Sequence, residues 1–220
     1  MKGILISIVL LIASFARAEI PDSTIEKNKA RSVRVFSMEA TSTGPVENSL
    51  NATMIADGFI LTAAHGVKDK PIIFWQVFGK DSAEVYRIKR KDVVCPNDKL
   101  DIAFLRVAKG KIPASEIKLG QEPKVGEKCF LISTVSYPIL ENFYLESYVT
   151  KIDPDGNIFT IFLPVIPGMS GSPVYNEKGE LIGVLVAGIN VGDRSVRITL
   201  GVAQIISIKA FRGEIEKILK

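Results

Sequence analysis

The chain holds a single histidine, His65, in the segment Ile60-Leu61-Thr62-Ala63-Ala64-His65-Gly66-Val67. Asp101 stands directly before the apolar run Ile102-Ala103-Phe104-Leu105, and Ser170 lies among glycines in Pro167-Gly168-Met169-Ser170-Gly171-Ser172-Pro173. A serine hydroxyl is a poor nucleophile at neutral pH and needs a base within hydrogen-bond reach. Histidine suits that task, because an imidazole in its ordinary state is mostly neutral at physiological pH. A carboxylate behind the imidazole fixes its tautomer and stabilises the imidazolium formed during attack. Glycines around the serine let the backbone turn so that amide N–H groups converge on one hollow, where they can hold the negative oxygen of a tetrahedral intermediate.

Each residue has a plainer reading. A lone histidine is more often a core residue satisfied by a backbone carbonyl, an aspartate before a strand more often a turn residue, and a serine between glycines more often part of a turn. The occurrence of all three segments in one chain weighs against those readings. Asp98 is the competing acid, but no apolar run follows it directly.

Short β-branched and aromatic runs, separated by Gly, Pro, Asn and Asp, would have to position these groups. Strands are expected at Ser32–Met38, Leu50–Ala56, Phe59–Thr62, Ile72–Phe78, Glu84–Arg90 and Ile102–Val107. In the second half they fall at Lys128–Thr134, Phe143–Ile152, Ile158–Leu163, Val174–Asn176, Leu181–Ile189 and Ser195–Gln204. Even spacing of this kind predicts an all-β sandwich or barrel. Asp57-Gly58 reads as a two-residue hairpin turn of type I′, which needs positive φ at both positions. Glu19–Ala30 reads as a polar leader, and Lys109–Gly126, with its glycines and prolines, as the one linker. Ile208, Phe211, Ile215, Ile218 and Leu219 follow helical spacing, with Ser207 as N-cap, so a C-terminal amphipathic helix closes the chain.

The 220 residues are 47% hydrophobic, enough for a sizeable core and against intrinsic disorder. Residues 1–18 combine Lys2, an apolar run from Ile4 to Phe15, and Ala16-Arg17-Ala18 as a small-x-small cleavage site, the pattern of an export signal peptide. Its apolar run, about 18 Å as a helix, is too short to span a bilayer. Cleavage after Ala18 leaves 26 basic against 24 acidic residues, a charge of +2, too small for a nucleic-acid protein. The expectation is a secreted or periplasmic protein with no stable membrane insertion and no nucleic-acid partner. Cys95 and Cys129 could form a disulfide once exported, or serve as two buried thiols; both readings stay open. Asn51-Ala52-Thr53 is a glycosylation sequon only in a eukaryotic host, and its strand context argues against modification.

The chain resembles the trypsin-like, chymotrypsin-fold serine proteases, and most closely the bacterial branch with the HtrA-type protease domain. The resemblance rests on Thr62–His65, Asp101–Leu105, Gly168–Pro173 and Gly179–Gly183, and runs from about Ser32 to Leu219. The order His, Asp, Ser is that of this family; subtilisins and α/β-hydrolases use other orders. The resemblance implies two six-stranded antiparallel β-barrels with the site between them, plus the C-terminal helix. Residues 19–115 would carry His65 and Asp101, and residues 116–220 would carry Ser170. No peptide-binding PDZ module is expected after the helix.

By the same resemblance, His65, Asp101 and Ser170 form the catalytic triad of an endopeptidase. The backbone N–H groups of Gly168 and Ser170 form the oxyanion hole, and the substrate is a polypeptide. Pro164 would stand at the base of the specificity pocket, with Val186, Ala187, Gly188 and Gly201 as its walls; no carboxylate at the base favours an apolar residue before the cut bond. Neither metal nor cofactor is implied. Many digestive members carry an Asp before the serine that pairs with a new N-terminus, where this chain has Met169, so activation by that ion pair is not expected. A catalytically silent or partner-activated binding protein of the same fold is the alternative.

Overall fold

The structure is a computed structural model that describes residues 19–42, 44–77, 84–96, 99–111, 116–134, 142–191 and 198–220. Residues 1–18, read above as an export signal, and Asp98 lie outside the described residues. The first half forms strands β1 (Ser32–Thr41), β2 (Gly44–Ala56), β3 (Phe59–Thr62), β4 (Ile72–Val77), β5 (Val85–Ile88), β6 (Val93–Val94) and β7 (Ala103–Arg106). They join in one antiparallel sheet of order β5-β4-β1-β2-β3-β7-β6. The second half forms β8 (Lys128–Thr134), β9 (Asn142–Ile152), β10 (Ile158–Phe162), β11 (Pro173–Asn176), β12 (Leu181–Val191) and β13 (Ile198–Ser207). These close into a barrel of order β10-β13-β12-β11-β8-β9, so no strand in it has an unpaired edge.

The second unit is a six-stranded antiparallel barrel, as the family resemblance implies. The first is a half-barrel of seven strands, open among the described residues between β5 and β6. The seventh strand, β6, is two residues long and pairs Val93 with Leu105 and Val94 with Phe104. The β2–β3 hairpin turns at Asp57-Gly58, but only Gly58 takes positive φ (88°) and the register shifts between Met54 and Ala56. A bulge beside the turn does the work that a type I′ turn would have done.

Glu19–Ala30 is more than a leader: Asp22–Lys29 is a helix, α1, that buries Ile25 and Asn28. The C-terminal helix α2 (Ile208–Ile218) buries Ile208, Phe211 and Ile215, and Ser207 Oγ accepts from the Lys209 N–H at its N-terminus as expected. Each such apolar side chain contributes about 2 kcal/mol when removed from water. The described part of the expected linker is pinned to both units. The Ile117 N–H donates to Ile55 O at 3.1 Å, and the Gly120 N–H to Leu181 O at 2.9 Å.

The central strand β2 explains how the units dock. From Leu50 to Ile55 it is buried on both faces. Leu50, Ala52 and Met54 enter the core, while Asn51 and Thr53, on the alternate face, turn to the barrel. Thr53 Oγ1 lies 3.2 Å from the Tyr175 hydroxyl, and the Tyr175 ring packs against Phe130 with centroids 5.3 Å apart. Full burial pushes the Tyr175 hydroxyl up to about 12, so it stays a neutral donor in this seam. The core of the half-barrel continues through the seam into Phe130, Ile132, Tyr175, Val184 and Phe211.

Candidate active site

His65 is placed by β3. Pairing of Thr62 with Ala103 brings the end of β3 level with the start of β7, and a single 3₁₀ turn, Ala64–Gly66, presents the imidazole. Asp101, two residues before β7, meets it there. The His65 main-chain N–H donates to Asp101 Oδ1 at 2.6 Å, and His65 Nδ1 lies 2.5 Å from Asp101 Oδ2. The Ala64 N–H adds a bond to the Asp101 carbonyl at 3.2 Å. Burial alone would raise the Asp101 carboxyl; the bonds from the His65 ring and main chain outweigh it and hold the group below its ordinary 3.8. An ionised carboxylate can only accept, so Nδ1 carries the hydrogen and Nε2 is left to take a proton.

Ser170 comes from the segment between β10 and β11. The Met169 N–H closes a turn on Ile166 O at 3.2 Å, with Pro167 and Gly168 as its central residues. Gly168 has φ of 94°, which matches a type II turn with proline first and glycine second. The Gly171 N–H then donates to Leu185 O at 2.7 Å, and Ser172 Oγ donates to Met169 O at 2.6 Å and lies 2.9 Å from Ser133 Oγ. The Ser170 hydroxyl donates to Val186 O at 3.3 Å. Met169, where the digestive enzymes place an acid, is 1% exposed and packs in the barrel core.

The structure brings His65, Gly168 and Ser170 together around one open cavity of about 450 Å³, whose wall also includes Ser49, Leu50 and Lys70. A second cavity of about 280 Å³ is lined by His65, Asp101 and Cys95. Of the residues assigned to a specificity pocket, Pro164 is exposed, Val186 is buried, and Ala187 and Gly188 are half-buried. A Cβ on Gly188 would come within 2.9 Å of Val165, and one on Gly201 would lie 3.8 Å from the Phe162 ring. The space those glycines leave is therefore bordered by Val165 and Phe162. Cys95 and Cys129 are thiols, not a bridge between the units. Among the described residues no three His, Cys, Asp or Glu side chains cluster as metal ligands.

The trypsin-like peptidase domain family matches residues 51–184. The chain belongs to this family. Its match begins at β2 and ends in β12, so it includes His65, Asp101 and Ser170 together. A "probable periplasmic serine endoprotease DegP-like" of Ectopseudomonas mendocina (strain ymp) is 28% identical over 140 residues, covering 59% of this chain and 27% of that protein. "Protease Do-like 2, chloroplastic" of Arabidopsis thaliana is 28% identical over 177 residues, covering 74% of this chain and 26% of that one. The chain thus spans about a quarter of the length of these relatives. In fold it is similar to the serine endoprotease from Yersinia pestis, with a TM-score of 0.69 at 16% identity over 91% of this chain and 68% of that one. No described helix is long and apolar enough to cross a membrane.

The sequence singles out His65, Asp101 and Ser170 because each sits in a short segment beside a strand. It does not show what holds the serine loop from the other unit. Asn51, read only as a sequon, is 2% exposed and hydrogen-bonded throughout, so it is no site for a glycan.

Proposed function

We propose that this chain is an exported, periplasmic or secreted serine endopeptidase. Ser170 Oγ attacks the scissile carbonyl carbon as His65 Nε2 takes its proton. The tetrahedral oxygen is held by the N–H groups of Gly168 and Ser170. His65 then gives the proton to the departing amine as the C–N bond breaks, and water releases the acyl group from Ser170 by the same steps. Asp101 keeps the ring oriented and stabilises it while protonated. The observation that carries this reading is the two-point hold of Asp101 on His65, at the rim of a cavity His65 shares with Ser170.

The division into units 19–115 and 116–220 and the removal of residues 1–18 belong to the same proposal. The substrate is a polypeptide, paired as an extra strand along Val186–Gly188. Pro164, Val186, Ala187, Gly188 and Gly201 border the side chain before the cut, for which an apolar residue is preferred. Met169 leaves no acid for a new N-terminus, so removal of the export segment suffices for activity. The relatives' names, a probable periplasmic serine endoprotease and a chloroplastic protease, support the protease part of this reading.

A fluorophosphonate probe tests it. Labelling of the chain from Glu19 that is lost in Ser170→Ala is the expected result. Failure of the chain from Glu19 to label overturns the hydrolase reading, and labelling only after a partner or peptide is added would favour a partner-activated protein.

A further inference from the structure

The reading of Ser170 and Gly168 as nucleophile and oxyanion hole leaves open what fixes the loop that carries them. Asn51 lies on β2 of the half-barrel, yet most of its hydrogen bonds cross to the barrel. Its main-chain N–H donates to Ser170 O at 2.8 Å. Its side-chain Nδ2 donates to Gly168 O at 2.7 Å and to Thr134 O at 3.0 Å, and Ser133 Oγ lies 3.2 Å from it. Its Oδ1 accepts from the Thr134 N–H at 2.8 Å. Its own carbonyl accepts from Thr62 Oγ1 at 2.7 Å, three residues before His65.

One residue therefore grips the serine loop at the carbonyls of both Gly168 and Ser170. These are the two residues whose N–H groups would face the oxyanion. A carbonyl fixed in space fixes its own peptide plane, here those of Gly168–Met169 and Ser170–Gly171, so the Ser170 N–H is held between two fixed planes and the Gly168 N–H stands next to one. Glycine at 168 offers no such constraint of its own, since glycine passes readily between positive and negative φ. The amide also carries the geometry further, because its other end is locked to both main-chain groups of Thr134 at the end of β8. The loop is thus referenced to a strand rather than to another loop. An amide is the side chain this position calls for: it must donate to Gly168 O and accept from the Thr134 N–H at once. An ionised carboxylate has no hydrogen to donate, and a hydroxyl has one, not the two that Gly168 O and Thr134 O take.

We propose that the Asn51 side chain is the positioning residue of the oxyanion loop, setting the Gly168 and Ser170 N–H groups where the tetrahedral oxygen forms. It touches no substrate and acts through the loop. The assignment rests on the hydrolase reading above.

The test uses the chain from Glu19, with saturable inactivation by a fluorophosphonate probe to separate binding from the chemical step. Asn51→Ala leaves the main-chain bond to Ser170 O in place and removes the grip on Gly168 O. Its maximal inactivation rate is expected to fall by about 10²-fold, the scale of a misplacement of roughly 1 Å, with the half-saturating concentration within about threefold of wild type. Asn51→Asp matches the residue in shape and keeps the acceptor for Thr134. When ionised it has no hydrogen for Gly168 O; when protonated it has one. The ratio of its rate to that of wild type is expected to climb as the pH is lowered from about 9 to about 6, which a purely structural role does not produce. A wild-type rate in Asn51→Ala, or a pH-independent ratio in Asn51→Asp, overturns the positioning role. Loss of a cooperative melting transition in both variants overturns it too, leaving Asn51 a residue of the fold alone. Wild type that fails to label at Ser170 overturns the hydrolase reading itself, and the assignment with it.

Discussion

Asp101 grips His65 twice, through Oδ1 to the main-chain N–H and through Oδ2 to the ring. The same carboxylate thus anchors the turn and aims the imidazole. Asp101→Asn keeps the shape but offers an N–H where the ring needs an acceptor, which favours the wrong tautomer. The expected loss in kcat on a peptide substrate is on the order of 10⁴-fold with a folded protein; kinetics beside a melting curve check it. A loss below about tenfold would remove Asp101 from the triad.

The same pair makes a prediction about stability. The folded Asp101 carboxyl lies below its ordinary 3.8, so its hydrogen bonds from His65 stabilise the fold fully above that pH and less as the pH falls through the folded value. Urea midpoints of wild type and Asp101→Asn should differ most above about pH 4 and converge as the pH is lowered from there. A gap that stays constant over that range would contradict the assigned direction.

Two glycines beside the serine should respond differently to alanine. A Cβ at Gly171 would lie 1.9 Å from Asn51 O and 2.4 Å from Thr62 Oγ1, both held in the seam, and its φ is 86°. Gly168 has φ of 94° but open space, a Cβ there lying 3.8 Å from Ser49 O. Gly168→Ala should cost about 1–2 kcal/mol, the strain of a left-handed residue alone. Gly171→Ala should cost more than about 3 kcal/mol or prevent folding. Chemical denaturation ranks the two, and equal losses would contradict the crowding argument.

Burial pushes the Cys129 thiol up to about 12, with the charge of Glu127 adding to the effect. The thiolate is the reactive form, so native Cys129 should resist iodoacetamide at about pH 8 and react at once in denaturant. Peptide mapping after alkylation decides the matter. Labelling of Cys129 in the folded protein would mean that β8 opens.

The three candidate segments were legible because their information is local. Thr62–His65, Asp101–Leu105 and Gly168–Pro173 each combine a strand end with a reactive side chain, and a linear reading can see that much. Helix α1 escaped because its 8 residues contain one apolar side chain, Ile25, although Asp22 in the first turn and Lys27 and Lys29 in the last are ordinary helix-end charges. Strand β6, two residues long, has no period to detect. Asn51 lay beyond reach for another reason: its partners Thr134 and Gly168 are 83 and 117 residues away, and only docking of the two units brings them near. The open first sheet was hidden likewise, since closure depends on which strand ends meet and not on how many strands there are.

The dependence of the serine loop on a strand of the opposite unit has a consequence for the order of events during biosynthesis. On this reading, a growing chain that has emerged only as far as β10 owns a base and an acid but no nucleophile. One that has just delivered Ser170 still lacks β12, which supplies the bonds to Leu185 and Val186. Hydrolytic power would then arrive late and all at once, as a property of the finished assembly. A nascent or half-unfolded molecule would be harmless to its neighbours.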